Sequence, residues 1–151
     1  MSESMMVKQI EALLEEENIL AALCNVTACL NEQLEKINWV GFYMSSGEQL
    51  ILGPFQGKVA CTRIPFGKGV CGSAAATKQI QVVKDVHQFA GHIACDGASN
   101  SEIVLPIIIQ DEVWGVLDID SYLFDRFSEE DTKELTEVVL KIQNRLAENY
   151  I

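Results

Sequence analysis

Three of the five cysteines, Cys61, Cys71 and Cys95, stand in surroundings that suit thiol chemistry. Cys61 and Cys71 flank a glycine-rich turn, Gly67-Lys68-Gly69-Val70-Cys71-Gly72. Cys95 lies among small and polar residues, from Gly91 to Ser101, which suits an exposed loop of specific conformation rather than a core. Such thiols can attack an electrophile, pass through a sulfenic acid and close a disulfide. Cys24 and Cys29 fall on an apolar helical stretch and read as small core residues. Zinc would be the rival use of three cysteines and the two histidines, His87 and His92. The chain has no CxxC or HxxxH pair, and the steps from Cys61 to Cys71 to Cys95 match no common structural zinc spacing, so no metal is expected. The histidines read as hydrogen bonders that order the loop. The glycine-rich turn lacks both phosphate-binding glycine patterns; its use is a close backbone approach to a ligand.

Three carboxylates stand out by position. Glu102 immediately precedes an apolar strand, and Asp118 and Asp120 lie near the end of another. Strand residues two apart share a face, so both aspartates point one way, along a face that Trp114 and Val116 make apolar upstream. Acids that continue an apolar face suggest a pocket floor, able to bind an ammonium group or hold a shared proton for transfer. Trp39 and Tyr43, four apart on one strand, also share a face. They read either as core packing or as an aromatic wall suited to a thioether or sulfonium-like group.

The elements that must position these groups follow from hydrophobic period. Helical spacing runs from Ile10 to Ile37 with a break near Asn18, giving two helices, or one bent one, up to about Lys36. Trp39–Met44 and Gln49–Phe55 read as a hairpin around Ser45-Ser46-Gly47, followed by a strand over Lys58–Ile64, a short helix at Ser73–Thr77 and a brief strand at Gln81–Val83. Asp85–Ser101 is a long irregular segment, and such loops tend to be functional. Ile103–Ile109 and Val113–Ile119 are strands joined by Gln110-Asp111-Glu112. Ser128 caps a last amphipathic helix that runs to about Asn149. The order predicts an α+β fold, an antiparallel sheet with the terminal helices packed together on one face, in a single domain over residues 1–151.

The composition is 48% hydrophobic, enough for a sizeable core. A net charge of -11 argues against nucleic-acid or anionic-membrane partners, which need a basic surface. No apolar run approaches the roughly 20 residues of a spanning helix. No export signal opens the sequence, so a reducing, cytoplasmic location is expected, where redox-active disulfides are the usual exceptions to free thiols. The apolar N-terminal helices leave room for a homodimer.

Taken together, Trp39-Val40-Gly41-Phe42-Tyr43, Gly53-Pro54-Phe55-Gln56-Gly57, Ala60-Cys61-Thr62-Arg63-Ile64, Gly67-Lys68-Gly69-Val70-Cys71-Gly72, Gly91-His92-Ile93-Ala94-Cys95-Asp96, Ser99-Asn100-Ser101-Glu102-Ile103 and Gly115-Val116-Leu117-Asp118-Ile119-Asp120-Ser121 closely resemble the free methionine-(R)-sulfoxide reductases, which are stand-alone GAF-domain enzymes. The resemblance covers nearly the whole chain; Gly97 departs from it, standing where serine or alanine is expected. It implies a GAF-like six-stranded antiparallel sheet with helices on its faces and a closed pocket for one small ligand. It makes Cys95 the nucleophile and leaves Cys61 and Cys71 as candidate resolving or pocket thiols. Glu102, Asp118 and Asp120 would hold the substrate and manage its proton, with Trp39 and Tyr43 lining the pocket. No bound cofactor is implied. Free methionine-(R)-sulfoxide would be the substrate, and a dithiol such as thioredoxin the external reductant. The alternative use of this fold is a non-catalytic small-molecule or redox sensor, which usually sits beside an output domain.

Overall fold

The computed structural model describes residues 3–91 and 97–148. The readings made for His92 and Cys95 fall outside the described residues. Helix α1 spans Met5–Leu13 and α2 Ile19–Gln33. The break near Asn18 is a cap: its side chain accepts from the Ala21 amide, as Ser4 does for Val7 at the start of α1. Helix α4, Glu129–Ala147, opens with a capping box between Ser128 and Asp131, and its first turn is acidic.

Six strands form one antiparallel sheet: β1 (Trp39–Ser46), β2 (Gln49–Gln56), β3 (Arg63–Pro65), β4 (Gln81–Val83), β5 (Ser101–Ile109) and β6 (Glu112–Ser121). Their order is β3-β2-β1-β6-β5-β4. The expected α+β, GAF-like sheet is therefore present. Both main hairpins turn on left-handed residues, Gly47 between β1 and β2, and Gln110 with Asp111 between β5 and β6. Helices α1, α2 and α4 cover one face, burying Ile10, Leu23, Leu30 and Ile142 against Phe42, Ile103, Leu105 and Leu117. Helix α3 (Gly69–Thr77) lies on the other face, against Trp39, Tyr43, Leu50, Val104 and Val116.

Four local readings are corrected. The strand expected over Lys58–Ile64 is a strand only at Arg63–Pro65, because side chains rather than a ladder take up the backbone before it. The Trp39 indole N–H donates to the Lys58 carbonyl (3.1 Å) and the Tyr43 hydroxyl to the Cys61 carbonyl (2.9 Å). Helix α3 begins at Gly69 rather than Ser73, and so contains Cys71. Trp114 does not share the face of Asp118. The register jumps between Ile107↔Gly115 and Ile108↔Val113, so Trp114 is an extra residue in a bulge and packs on the side of the three helices, while Val113 packs on the α3 side. Cys24 is exposed and Cys29 half-buried, because the buried stripe of α2 runs through Ala22, Leu23, Val26, Thr27 and Leu30.

Gly115 on β6 pairs with Met44 on β1. A Cβ there would lie 2.3 Å from the Tyr43 carbonyl oxygen, a backbone atom that cannot move aside alone. Gly115→Ala is expected to cost about 1–3 kcal/mol by forcing the strands apart, read as a lower denaturant midpoint with unchanged slope.

Candidate functional site

Strand register brings the predicted acids and aromatics together. Trp39 on β1 stands opposite Asp120 on β6, Asp120 opposite Glu102 on β5, and Glu102 opposite Val83 on β4. Two pairs along, Gly41 stands opposite Asp118 and Asp118 opposite Val104. Directly opposed residues have their Cβ atoms within about 5.5 Å, so the three carboxyls form one cluster on the face covered by α3. The absent side chain at Gly41 makes room for the Trp39 ring, whose edge lies 2.7 Å from where a Cβ would stand. Trp39 stacks on Tyr43 at 5.9 Å and on Phe55 at 5.3 Å between centroids. The sequence places Phe55 on the second strand but not in the aromatic wall, because its stacking on Trp39 depends on the pairing of β2 with β1.

Helix α3 closes over the acids. A Cβ at Gly72 would meet the Pro65 carbonyl at 2.5 Å, so the glycine lets the helix start press against β3. The Cys71 Sγ is thereby held 4.0 Å from Oε2 of Glu102. Glu102, Asp118 and Asp120 are 8%, 5% and 9% exposed. Among the described residues, Oδ1 of Asp118 has no hydrogen-bond partner and is available to a ligand.

Burial sets the protonation of this cluster. Desolvation, then the charges of Asp118 and Asp120, push the Glu102 carboxyl well above its usual range, and its hydrogen bonds to the aspartates reinforce this. Two carboxyl groups can share a hydrogen bond only if one carries the proton, and the bonds that raise Glu102 lower Asp118. Asp118 is also raised by desolvation, opposed by the hydrogen bonds it accepts from Glu102 and Cys71. Burial and the neighbouring acids likewise hold the Cys71 thiol well above its usual range, so it stays S–H. Burial, then Asp118, raises Tyr43, which is consequently a neutral donor.

The ligating atoms of Cys71, Glu102 and Asp118 all lie within 4.8 Å of one another, so this trio has the spacing to share a cation, metal ion or ammonium. Cys61 is in a disulfide, whereas Cys24, Cys29 and Cys71 are free. His87 orders its loop, as expected, through a 3.0 Å hydrogen bond between Nε2 and the Asn100 side chain.

Residues 17–146 match the GAF domain family model. The chain is 54% identical over 132 residues to the free methionine-R-sulfoxide reductase of Escherichia coli K12, covering 87% of this chain and 80% of that one. It therefore belongs to the free methionine-R-sulfoxide reductase family. Solved structures agree. The fRMsr of Staphylococcus aureus in reduced form superposes with a TM-score of 0.91 at 52% identity, covering 94% of this chain and 93% of that chain. The free methionine-R-sulfoxide reductase of Neisseria meningitidis in complex with its substrate gives 0.91 at 40% identity, covering 97% and 90%. The GAF fold, the acid cluster and the aromatic stack described above are thus those of a chain in this reductase family. Among the described residues no helix is long and apolar enough to cross a membrane.

The raised Glu102 carboxyl makes stability depend on pH. In the unfolded chain it ionises near its ordinary value of 4.5, while in the folded state it keeps its proton to higher pH. Its contribution is full below 4.5 and is lost as pH rises toward and through the folded value. Glu102→Gln, which keeps the shape and a donor, is expected to flatten the fall in melting temperature between mildly acidic and mildly alkaline pH.

Proposed function

We propose that the protein reduces free L-methionine-(R)-sulfoxide to methionine. The observation that carries this reading is the buried cluster of Glu102, Asp118 and Asp120, in which burial and the neighbouring acids push the Glu102 carboxyl well above its usual range, on a chain 54% identical to a reductase of that name. A sulfoxide sulfur is a poor electrophile until its oxygen accepts a proton, and Glu102 is the group that holds one. Asp118 and Asp120 receive the ammonium of the amino acid, while the faces of Trp39 and Tyr43 hold the methyl-thio end.

Cys95 is the nucleophile in this reading. Its sulfur bonds to the activated sulfoxide sulfur while the S–O bond breaks and the oxygen leaves as water. Water then attacks the cysteine sulfur, methionine leaves with the S–S electron pair, and a cysteine sulfenic acid remains. Resolution falls to Cys61. It is the described cysteine already in a disulfide, while Cys71 is a buried thiol whose acid neighbours keep it protonated and a weak nucleophile. The Cys61 sulfur displaces the sulfenic hydroxyl, which leaves as water with one proton, and an S–S bond forms. A dithiol reductant of the thioredoxin type, in the cytoplasm, then exchanges with that disulfide and restores both thiols. Cys71 serves as a pocket thiol beside Glu102.

Three serine variants test this. Cys95→Ser is expected to abolish reduction of free methionine-(R)-sulfoxide. Cys61→Ser should still release one methionine per enzyme but fail to turn over with thioredoxin, whereas Cys71→Ser should keep turning over. Full activity of Cys95→Ser refutes the reading, and binding of the sulfoxide with no thiol oxidised points to a sensor.

A further inference from the structure

We infer that Tyr43 is a positioning residue for Cys61: its hydroxyl fixes the backbone of the segment that presents the resolving sulfur. This rests on the assignment of Cys61 as resolving thiol and goes beyond the reading of Tyr43 as pocket wall. From Lys58 to Thr62 the chain leaves the sheet, between the end of β2 and the start of β3. What registers this stretch comes from beneath it. The Trp39 indole donates to the Lys58 carbonyl and the Tyr43 hydroxyl to the Cys61 carbonyl itself. The Leu52 amide donates to Thr62, closing the far end at 3.0 Å.

Trp39 and Tyr43 are both 2% exposed, on a sheet strand backed by the helical core, so the two donors are fixed points. Their donors are already spent on the segment. The donor on Tyr43 is also permanent. Burial and Asp118 keep the phenol neutral, so its hydroxyl donates across the working pH range. Val59, two residues from Cys61, is 88% exposed, so no apolar packing at that side chain restrains the turn. The hydroxyl therefore holds Cys61 in register for the step in which its sulfur displaces the sulfenic hydroxyl of the nucleophile, forming the S–S bond and releasing water.

The test separates the two chemical steps. Reduced enzyme is mixed with one equivalent of methionine-(R)-sulfoxide; methionine release reports the first step. Loss of the second thiol, with dimedone trapping of sulfenic acid, reports the closure. Tyr43→Phe keeps the ring and removes only the donor. Relative to methionine release, closure should slow about tenfold, the size of one neutral hydrogen bond lost from the attacking geometry, with trappable sulfenic acid accumulating. Replacement of Tyr43 by 3-fluorotyrosine, which restores the hydroxyl, should bring the ratio of the two rates back. A purely structural role would lower the melting temperature and leave that ratio unchanged, and this result overturns the inference. Cys61→Ser is run alongside: if its disulfide forms at the unaltered rate, the assignment of Cys61 fails, whatever Tyr43→Phe does.

Discussion

Three carboxyl groups taken out of water and set against one another raise each other's proton affinity and favour sharing protons. Ionising all three in that setting would cost several kcal/mol per charge. Desolvation and the charges of Asp118 and Asp120 push the Glu102 carboxyl well above its usual range, so its proton is held to higher pH. Much of the α3 side of the sheet is arranged around that proton. Antiparallel register places Glu102 directly opposite Asp120 and sets Asp118 two pairs along, on the same face. Helix α3 seals the cluster with a protonated thiol rather than with a base. A pocket built this way is poised to give up a proton and to accept a positive charge, the two demands of an amino-acid sulfoxide.

The same constraint explains the division between acid and thiol chemistry. Carboxylates raise any thiol they face and so weaken it as a nucleophile. Cys71, 4.0 Å from Glu102, is held as S–H. Cys61 lies on a segment that the aromatic residues carry outside the sheet. Trp39 and Tyr43 thus bridge the two halves, with faces beside the acids and polar atoms under the cysteine segment.

Much of this was legible in the sequence because its signals are local. Caps at Asn18 and Ser128 mark helix starts, and alternation places Asp118 and Asp120 on the face of Val116. Trp39 and Tyr43 do share a face. What escaped depends on non-local geometry. The bulge that turns Trp114 to the other side is a property of pairing with β5, and no residue type announces it. The segment from Lys58 to Thr62 carries strand-like residues, yet tertiary hydrogen bonds from Trp39 and Tyr43 override that propensity. The pairing of Glu102 with Asp120 joins positions from two strands, and only the register brings them opposite each other. Cys24 fell one position off the buried stripe of α2, an error that helical period invites when the stripe is broad.

The central claim is that Glu102 remains a neutral carboxylic acid in the folded protein at neutral pH. Infrared difference spectroscopy reads this directly, since protonated and ionised carboxyls absorb in separate regions. The account predicts a protonated-carboxyl band that persists through neutral pH, shifts when methionine-(R)-sulfoxide binds and is absent from Glu102→Gln. Full ionisation of all carboxyls by neutral pH, with no band lost in Glu102→Gln, would contradict it.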